Sequence, residues 1–224
     1  MFQPPPCRAL IIAGLPCAGK EKLASEVLKR FYPNPFQRVW RHLRAARFHT
    51  EESNILLARG EILRRRGVWT DWLASLERNL RELSLSFCES AEAEPECRLF
   101  LIVTATLLTP TLRKRVIEMG KRAGSEKSAH SVIWLNVSED VAKRRLQEEI
   151  DRGESSWPGV QILDKYFKIC QPPEPLALKA DTNAHLFKTA EENVFWLNAN
   201  NDSVVRKADR VIGNFPDLRD YEVA

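Results

Sequence analysis

The 224-residue chain has no apolar run approaching the roughly 20 residues that a bilayer-spanning helix needs. Its longest apolar stretches are residues 9–15 and 99–108, and threonines break the second. The opening Met-Phe-Gln-Pro-Pro-Pro carries no basic region of the kind that begins a secretory leader. A soluble, cytoplasmic protein without a membrane partner is the expectation. Cysteine is scarce: Cys7, Cys17, Cys88, Cys97 and Cys170 are odd in number and form no Cys-x-x-Cys pair, which argues against a disulfide scaffold or a thiolate metal cluster. His42, His49, His130 and His185 are too scattered for a metal-ligand spacing. No Asn-Lys-x-Asp guanine reader occurs, which disfavours a GTPase.

Charge is nearly balanced at +4 overall, but it is unevenly placed. Residues 38–67 hold eight arginines (38, 41, 44, 47, 59, 64, 65 and 66) against Glu51, Glu52 and Glu61, so the rest of the chain is close to neutral. Guanidinium groups grip phosphate through a planar fork of donors, and such a concentration suits a phosphate-rich ligand. A solvated helix face explains the same composition.

Glycine is sparse, at nine residues, yet two of them fall at a telling spacing. Residues 8–13 read Arg-Ala-Leu-Ile-Ile-Ala, an apolar run that suits a buried parallel strand. Gly14-Leu15-Pro16-Cys17-Ala18-Gly19-Lys20 follows at once. Leu23, Ala24, Val27, Leu28 and Phe31 then fall on one helical stripe. Strand, Gly-x-x-x-x-Gly-Lys and helix together make a phosphate-binding loop, or P-loop. Its glycines let successive backbone N–H groups point inward, the helix start adds positive potential, and Lys20 reaches the terminal phosphates. Gly14, Pro16, Cys17, Ala18, Gly19, Lys20 and Glu21 are the candidate nucleotide-binding residues. The position after the lysine, where a Ser or Thr hydroxyl joins a magnesium shell, is Glu21. Its carboxylate has three open roles: to point away, to replace the hydroxyl as the metal donor, or to oppose the triphosphate. Cys17, beside a helix start, is a candidate for a lowered thiol pKa and oxidation sensitivity.

Further strands are expected at 98–104 and 132–137. Helices are expected from Pro110 to about Ala123 behind a Thr109 cap, at 138–152 capped by Ser138, and at 160–170. Residues 38–89 read as mostly helical, with a short strand near Val39 or Phe48, and 91–96 as a polar connection. In the last third, 171–175 reads as extended, 176–180 as a strand, 184–197 as a helix and 203–212 as a strand. Alternating strands and helices indicate a single α/β domain, a mostly parallel sheet covered on both faces.

With those residues in view, the chain resembles P-loop kinases of the polynucleotide kinase, zeta toxin and seryl-tRNA(Sec) kinase group. One matching piece is the 14–20 loop behind its Leu-Ile-Ile-Ala strand. Another is Leu101-Ile102-Val103-Thr104-Ala105-Thr106 with Leu107-Leu108-Thr109-Pro110-Thr111-Leu112-Arg113. A third is residues 132–137 leading into Val141-Ala142-Lys143-Arg144-Arg145-Leu146. Tyr166-Phe167, Gln171-Pro172-Pro173-Glu174-Pro175 and Asp181-Thr182 resemble the group's C-terminal segment. The resemblance implies a three-layer P-loop NTPase fold, a helical substrate-side insertion at 38–96, and a lid at 138–159. It implies ATP and Mg2+ as cofactors. It also implies that Lys20, Arg144 and Arg145 act on the transferring phosphoryl, with Arg152 nearby. Arg44, Arg47, Glu51 and Arg65 would face an acceptor such as RNA, tRNA or a phosphorylated small molecule. Two departures stand out: Thr104 occupies the place of the group's strand-end aspartate, and the acid that takes the acceptor's proton has only Glu51 or Glu52 as a counterpart. Two readings follow: a kinase acting on a hydroxyl of a phosphate-bearing substrate, or a catalytically degenerate relative that binds nucleotide, RNA or a protein.

Overall fold

A strand that is apolar at every position must be covered on both faces, and two tetrads here meet that description. The computed structural model describes residues 7–31, 99–122, 130–155, 157–176, 186–200 and 203–215. It places Leu10-Ile11-Ile12-Ala13 in β1 (Cys7–Gly14) and Val132-Ile133-Trp134-Leu135 in β3 (Ser131–Asn136), all at most 1% exposed. The expected helix behind the loop is α1 (Lys20–Phe31). The other elements are β2 (Leu99–Ala105), α2 (Pro110–Arg122), α3 (Glu139–Asp151), α4 (Ile162–Ile169), β4 (Phe187–Lys188), β5 (Val194–Asn198) and α5 (Val204–Asn214).

The sheet order is β2-β1-β3-β5-β4, with β4 alone antiparallel to its neighbour. Crossing from β1 to β2 and then back to β3 reverses direction along the sheet, so right-handed crossovers place α1 and α2 on opposite faces. The packing agrees: α1 lies against α5, whereas α2 lies against β1 and β3. An Arg30–Asp209 ion pair joins α1 to α5. Lys143 holds Glu139 at 2.6 Å and Asp164 at 2.7 Å, tying α3 to α4. The reversal of strand order falls between β1 and β3, and in open α/β sheets the crevice at the carboxyl ends of such strands receives the ligand.

Two expectations in the last third are corrected. The helix expected over 184–197 is not found in its described part: residues 186–198 contain β4, a turn with Asn193 at φ 54°, and β5. Ala190, Glu191 and Glu192 favour helix, but Val-Phe-Trp-Leu, buried except for a half-buried Phe195, pairs with β3 in register, Val132 opposite Val194. Residues 203–212 are not a strand. Ser203 Oγ accepts from the Arg206 N–H at 3.2 Å, and Ala208 and Val211 line the buried face of α5. Ser138 holds the N-cap position of α3, but without a side-chain cap bond; its N–H donates to Asn200 Oδ1 at 2.8 Å. The 38–89 and 91–96 readings lie outside the described residues, as does the 176–180 strand beyond Leu176. Among the described residues, no helix is long and apolar enough to cross a membrane.

Candidate functional site

The site is built where β1 gives way to α1. Gly14, at φ 147°, lies so close to β3 that a Cβ there would sit 2.7 Å from the Leu135 carbonyl oxygen. Only glycine fits that approach. Beyond it, Cys17 (φ 61°) and Gly19 (φ 88°) turn the backbone through the left-handed region. A Cβ on Gly19 would meet nothing within 4 Å, and Cys17, Ala18 and Gly19 border an open cleft. The first unpaired N–H groups of α1 start at its rim, a ready-made anion position.

Lys20 is 6% exposed, and its Nζ donates to the Leu15 carbonyl at 2.8 Å, inside the loop. Burial lowers its pKa, with Glu21 and Cys17 pulling the other way. An ammonium kept in so enclosed a place, with no ion pair among the described residues, is expensive for the fold, and an anionic ligand would offset that cost.

Helix α3 forms the second wall. Its buried residues Ala142 and Leu146 fix its rotation, which presents Arg145 and Glu149 to the loop. Arg145 Nη1 donates to the Cys17 carbonyl at 3.2 Å, and Nη2 donates to the carbonyls of Ala199 at 2.7 Å and Asn200 at 3.4 Å. Arg145 thus bridges the phosphate loop and the β5–α5 loop through neutral acceptors. Its neighbours on α3 are held by carboxylates: Lys143 by two, Arg144 by Glu148 at 4.0 Å, and Arg152 by Glu154 at 3.0 Å. Arg144, 66% exposed, faces solvent. Of the two consecutive arginines expected at the phosphoryl group, the structure brings one to the loop. Helix α5 adds Lys207, 6% exposed, with Nζ 3.4 Å from the Ala199 carbonyl. Cys17, Gly19, Glu21, Arg145, Glu149 and Lys207 line a cleft of about 450 Å³. A cavity of about 600 Å³ over α2, beside Lys114 and Glu118, contains none of these residues.

The Cys17 thiol faces Glu149 Oε2 at 3.9 Å, and burial, followed by that carboxylate, pushes its pKa up to about 11. This overturns the expected activated thiol. The negative neighbour and desolvation outweigh Lys20 and Arg145, which pull the other way. The proton is lost two pH units above an ordinary thiol's value of 9.0, so at pH 8 the thiolate fraction falls about 100-fold. Alkylation of Cys17 by iodoacetamide at pH 8, followed by peptide mass spectrometry, should be slower by about that factor than in the urea-unfolded chain; equal rates would contradict this placement.

The loop's hollow and buried ammonium fit the phosphates of a nucleotide. Magnesium has fewer protein donors. Among the described residues no group of three or more His, Cys, Asp or Glu side chains converges. Glu21 is exposed, and Thr104 sits half-buried in β2 opposite Ile12, two residues short of the loop. The chemistry suits a cation carried mainly by phosphate oxygens, with Glu21 as the protein donor. Arg44, Arg47, Glu51 and Arg65 lie outside the described residues.

The sequence reasoning passed over three residues. Glu149 and Lys207 are placed by helix rotation and were legible only once Leu146 and Ala208 were known to be buried. Arg113 was noted only as part of the resemblance. It is fully buried, with two donors on Glu191 (2.8 and 2.6 Å), one on the Leu107 carbonyl and one on the Gln171 carbonyl, and it lies over the Trp134 ring at 5.2 Å.

No family model matches the chain, and no curated protein does. Among solved structures, a gluconokinase from Sinorhizobium meliloti 1021 superposes with a TM-score of 0.55 over 100% of both chains at 14% identity. An APS kinase from Mycobacterium tuberculosis, in complex with AMPPNP and APS, superposes with a TM-score of 0.47 over 97% of this chain and 99% of that one, at 15% identity. At such identity the likeness to the gluconokinase is one of fold, and it agrees with the expected α/β P-loop class. Neither bears the name of a polynucleotide kinase, a zeta toxin or a seryl-tRNA(Sec) kinase.

Proposed function

We propose that the protein is an ATP-dependent phosphotransferase acting on a hydroxyl of a phosphate-bearing acceptor. The observation that carries this reading is Lys20, buried within the glycine loop that follows β1 and, among the described residues, without a carboxylate partner in hydrogen-bond reach. The loop's N–H groups and Lys20 would hold the triphosphate, and Arg145 would add positive charge where phosphoryl transfer requires it. Magnesium, when bound with the nucleotide, would supply further charge neutralisation, with Glu21 as its protein donor. The acceptor side would rest on Arg44, Arg47 and Arg65, with Glu51 or Glu52 as the candidate to take the hydroxyl proton.

The test is transfer from γ-labelled ATP, with magnesium, to 5′-hydroxyl RNA, tRNA, nucleotides and gluconate. Label on RNA, tRNA or a nucleotide, absent with Arg145→Ala, supports the proposal; label on gluconate alone would keep phosphoryl transfer and rule out the phosphate-bearing acceptor. Tight ATP binding without label on any of them favours the second reading, a degenerate nucleotide-binding relative. The replacement of the magnesium hydroxyl by Glu21 and the presence of Thr104 at the strand end support that alternative.

A further inference from the structure

We propose that Glu149 is a carboxylate gate on the phosphate loop, which rejects a bare polyphosphate and admits one that carries a divalent cation. The inference rests on the nucleotide reading above and assigns a selectivity to that same site.

Arg145 and Glu149 lie one helical turn apart on α3, and both reach the same loop residue. The guanidinium holds the Cys17 carbonyl at 3.2 Å, and the carboxylate meets the Cys17 thiol at 3.9 Å. A carboxylate therefore stands against the loop at Cys17, on the cleft that Cys17, Ala18 and Gly19 line, beside the positive charge that would attract an anion. Glu21 places a second carboxylate next to Lys20, where such loops otherwise carry a hydroxyl. Other charges at the rim are committed in pairs: Arg152 to Glu154 at 3.0 Å, and Glu148 within 4.0 Å of Arg144. Lys22 and Lys207 also border the cleft, the latter against the Ala199 carbonyl. At the loop Glu21 and Glu149 stand among the cations Lys20, Lys22, Arg145 and Lys207. A free triphosphate meets carboxylate repulsion at those two positions. A bound divalent cation turns that repulsion into attraction at the same positions. The carboxylate need not ligate the metal to act in this way.

Calorimetric titration of the full chain with ATP, in EDTA and in excess magnesium, tests the gate in the native protein, Glu149→Gln, Glu149→Ala and the remote control Glu118→Gln. The expected result is metal-free affinity at least about 10-fold tighter in both Glu149 variants, with magnesium–ATP affinity little changed and the control like the native chain. A merely structural role would leave the ratio of the two affinities where it was. Unchanged metal-free binding in both variants overturns the proposal. So does loss of magnesium–ATP binding, which would make the carboxylate a holding group rather than a barrier. Native protein that binds neither form, alongside variants that bind metal-free ATP, overturns it as well, because the gate must admit the magnesium complex. Failure of every protein to bind either form refutes the nucleotide reading, and the gate with it.

Discussion

Replacing Arg113 with alanine should destabilise the fold by about 3–5 kcal/mol in urea unfolding at neutral pH. The guanidinium is fully buried and reaches three parts of the chain at once. It binds Glu191 in the β4–β5 turn, Leu107 just past β2, and Gln171 just past α4. Its removal leaves two carbonyls without a donor and a carboxylate, 25% exposed, without its counter-charge. Arg113→Lys should recover only part of the loss, because an ammonium cannot reproduce the planar fork on Glu191. A loss below about 1 kcal/mol for the alanine variant would mean that water replaces those contacts, contrary to the burial described.

Lys20→Met should weaken magnesium–ATP binding by about 30- to 150-fold, the equivalent of about 2–3 kcal/mol for a charge-assisted contact with phosphate. The same change should leave the ligand-free fold as stable as the native chain or more so. Burial lowers the pKa of Lys20, so the unfolded chain holds this proton more tightly than the folded one. Between the lowered folded value and the ordinary 10.5, stability therefore rises with pH, and below that window the buried charge is a standing penalty. Thermal unfolding from neutral to alkaline pH should show that rise in the native chain and its absence in Lys20→Met. A variant that binds ATP as the native chain does would remove Lys20 from the site. One that unfolds readily would make it a structural residue.

The parts of the fold legible in the sequence share one property: their signals are local. The tetrad before Gly14, the glycine spacing, and the Thr109-Pro110 start of α2 each lie within a few residues of one another. In the structure the Leu112 and Arg113 N–H groups donate to Thr109 at its side-chain and main-chain oxygens, as that start requires. Where local preference and tertiary pairing disagreed, the reading failed. Ala190, Glu191 and Glu192 favour helix by themselves, but pairing with β3 converts the residues that follow into β5. The helical stripe in 203–212 was present in the spacing of Val204, Ala208 and Val211, and the adjacent valines masked it. Arg113 and Glu191 lie 78 residues apart, and no spacing rule links them. The difference between Arg144 and Arg145 is one step of helix rotation, set by which neighbours the core claims. The sequence placed α3 correctly but could not supply that rotation without knowing that Leu146 is buried.

The measurement that tests the central claim most directly is thermal unfolding of the native chain with and without magnesium–ATP. A nucleotide at about 100 times its dissociation constant stabilises the folded state by about 2.7 kcal/mol, which for a chain of this size raises the midpoint by about 5–10 °C. That rise is expected, with a smaller one for ATP in EDTA and one of at most about 3 °C in Lys20→Met. No rise at millimolar magnesium–ATP would contradict the claim that the open loop around Lys20 is a phosphate cradle.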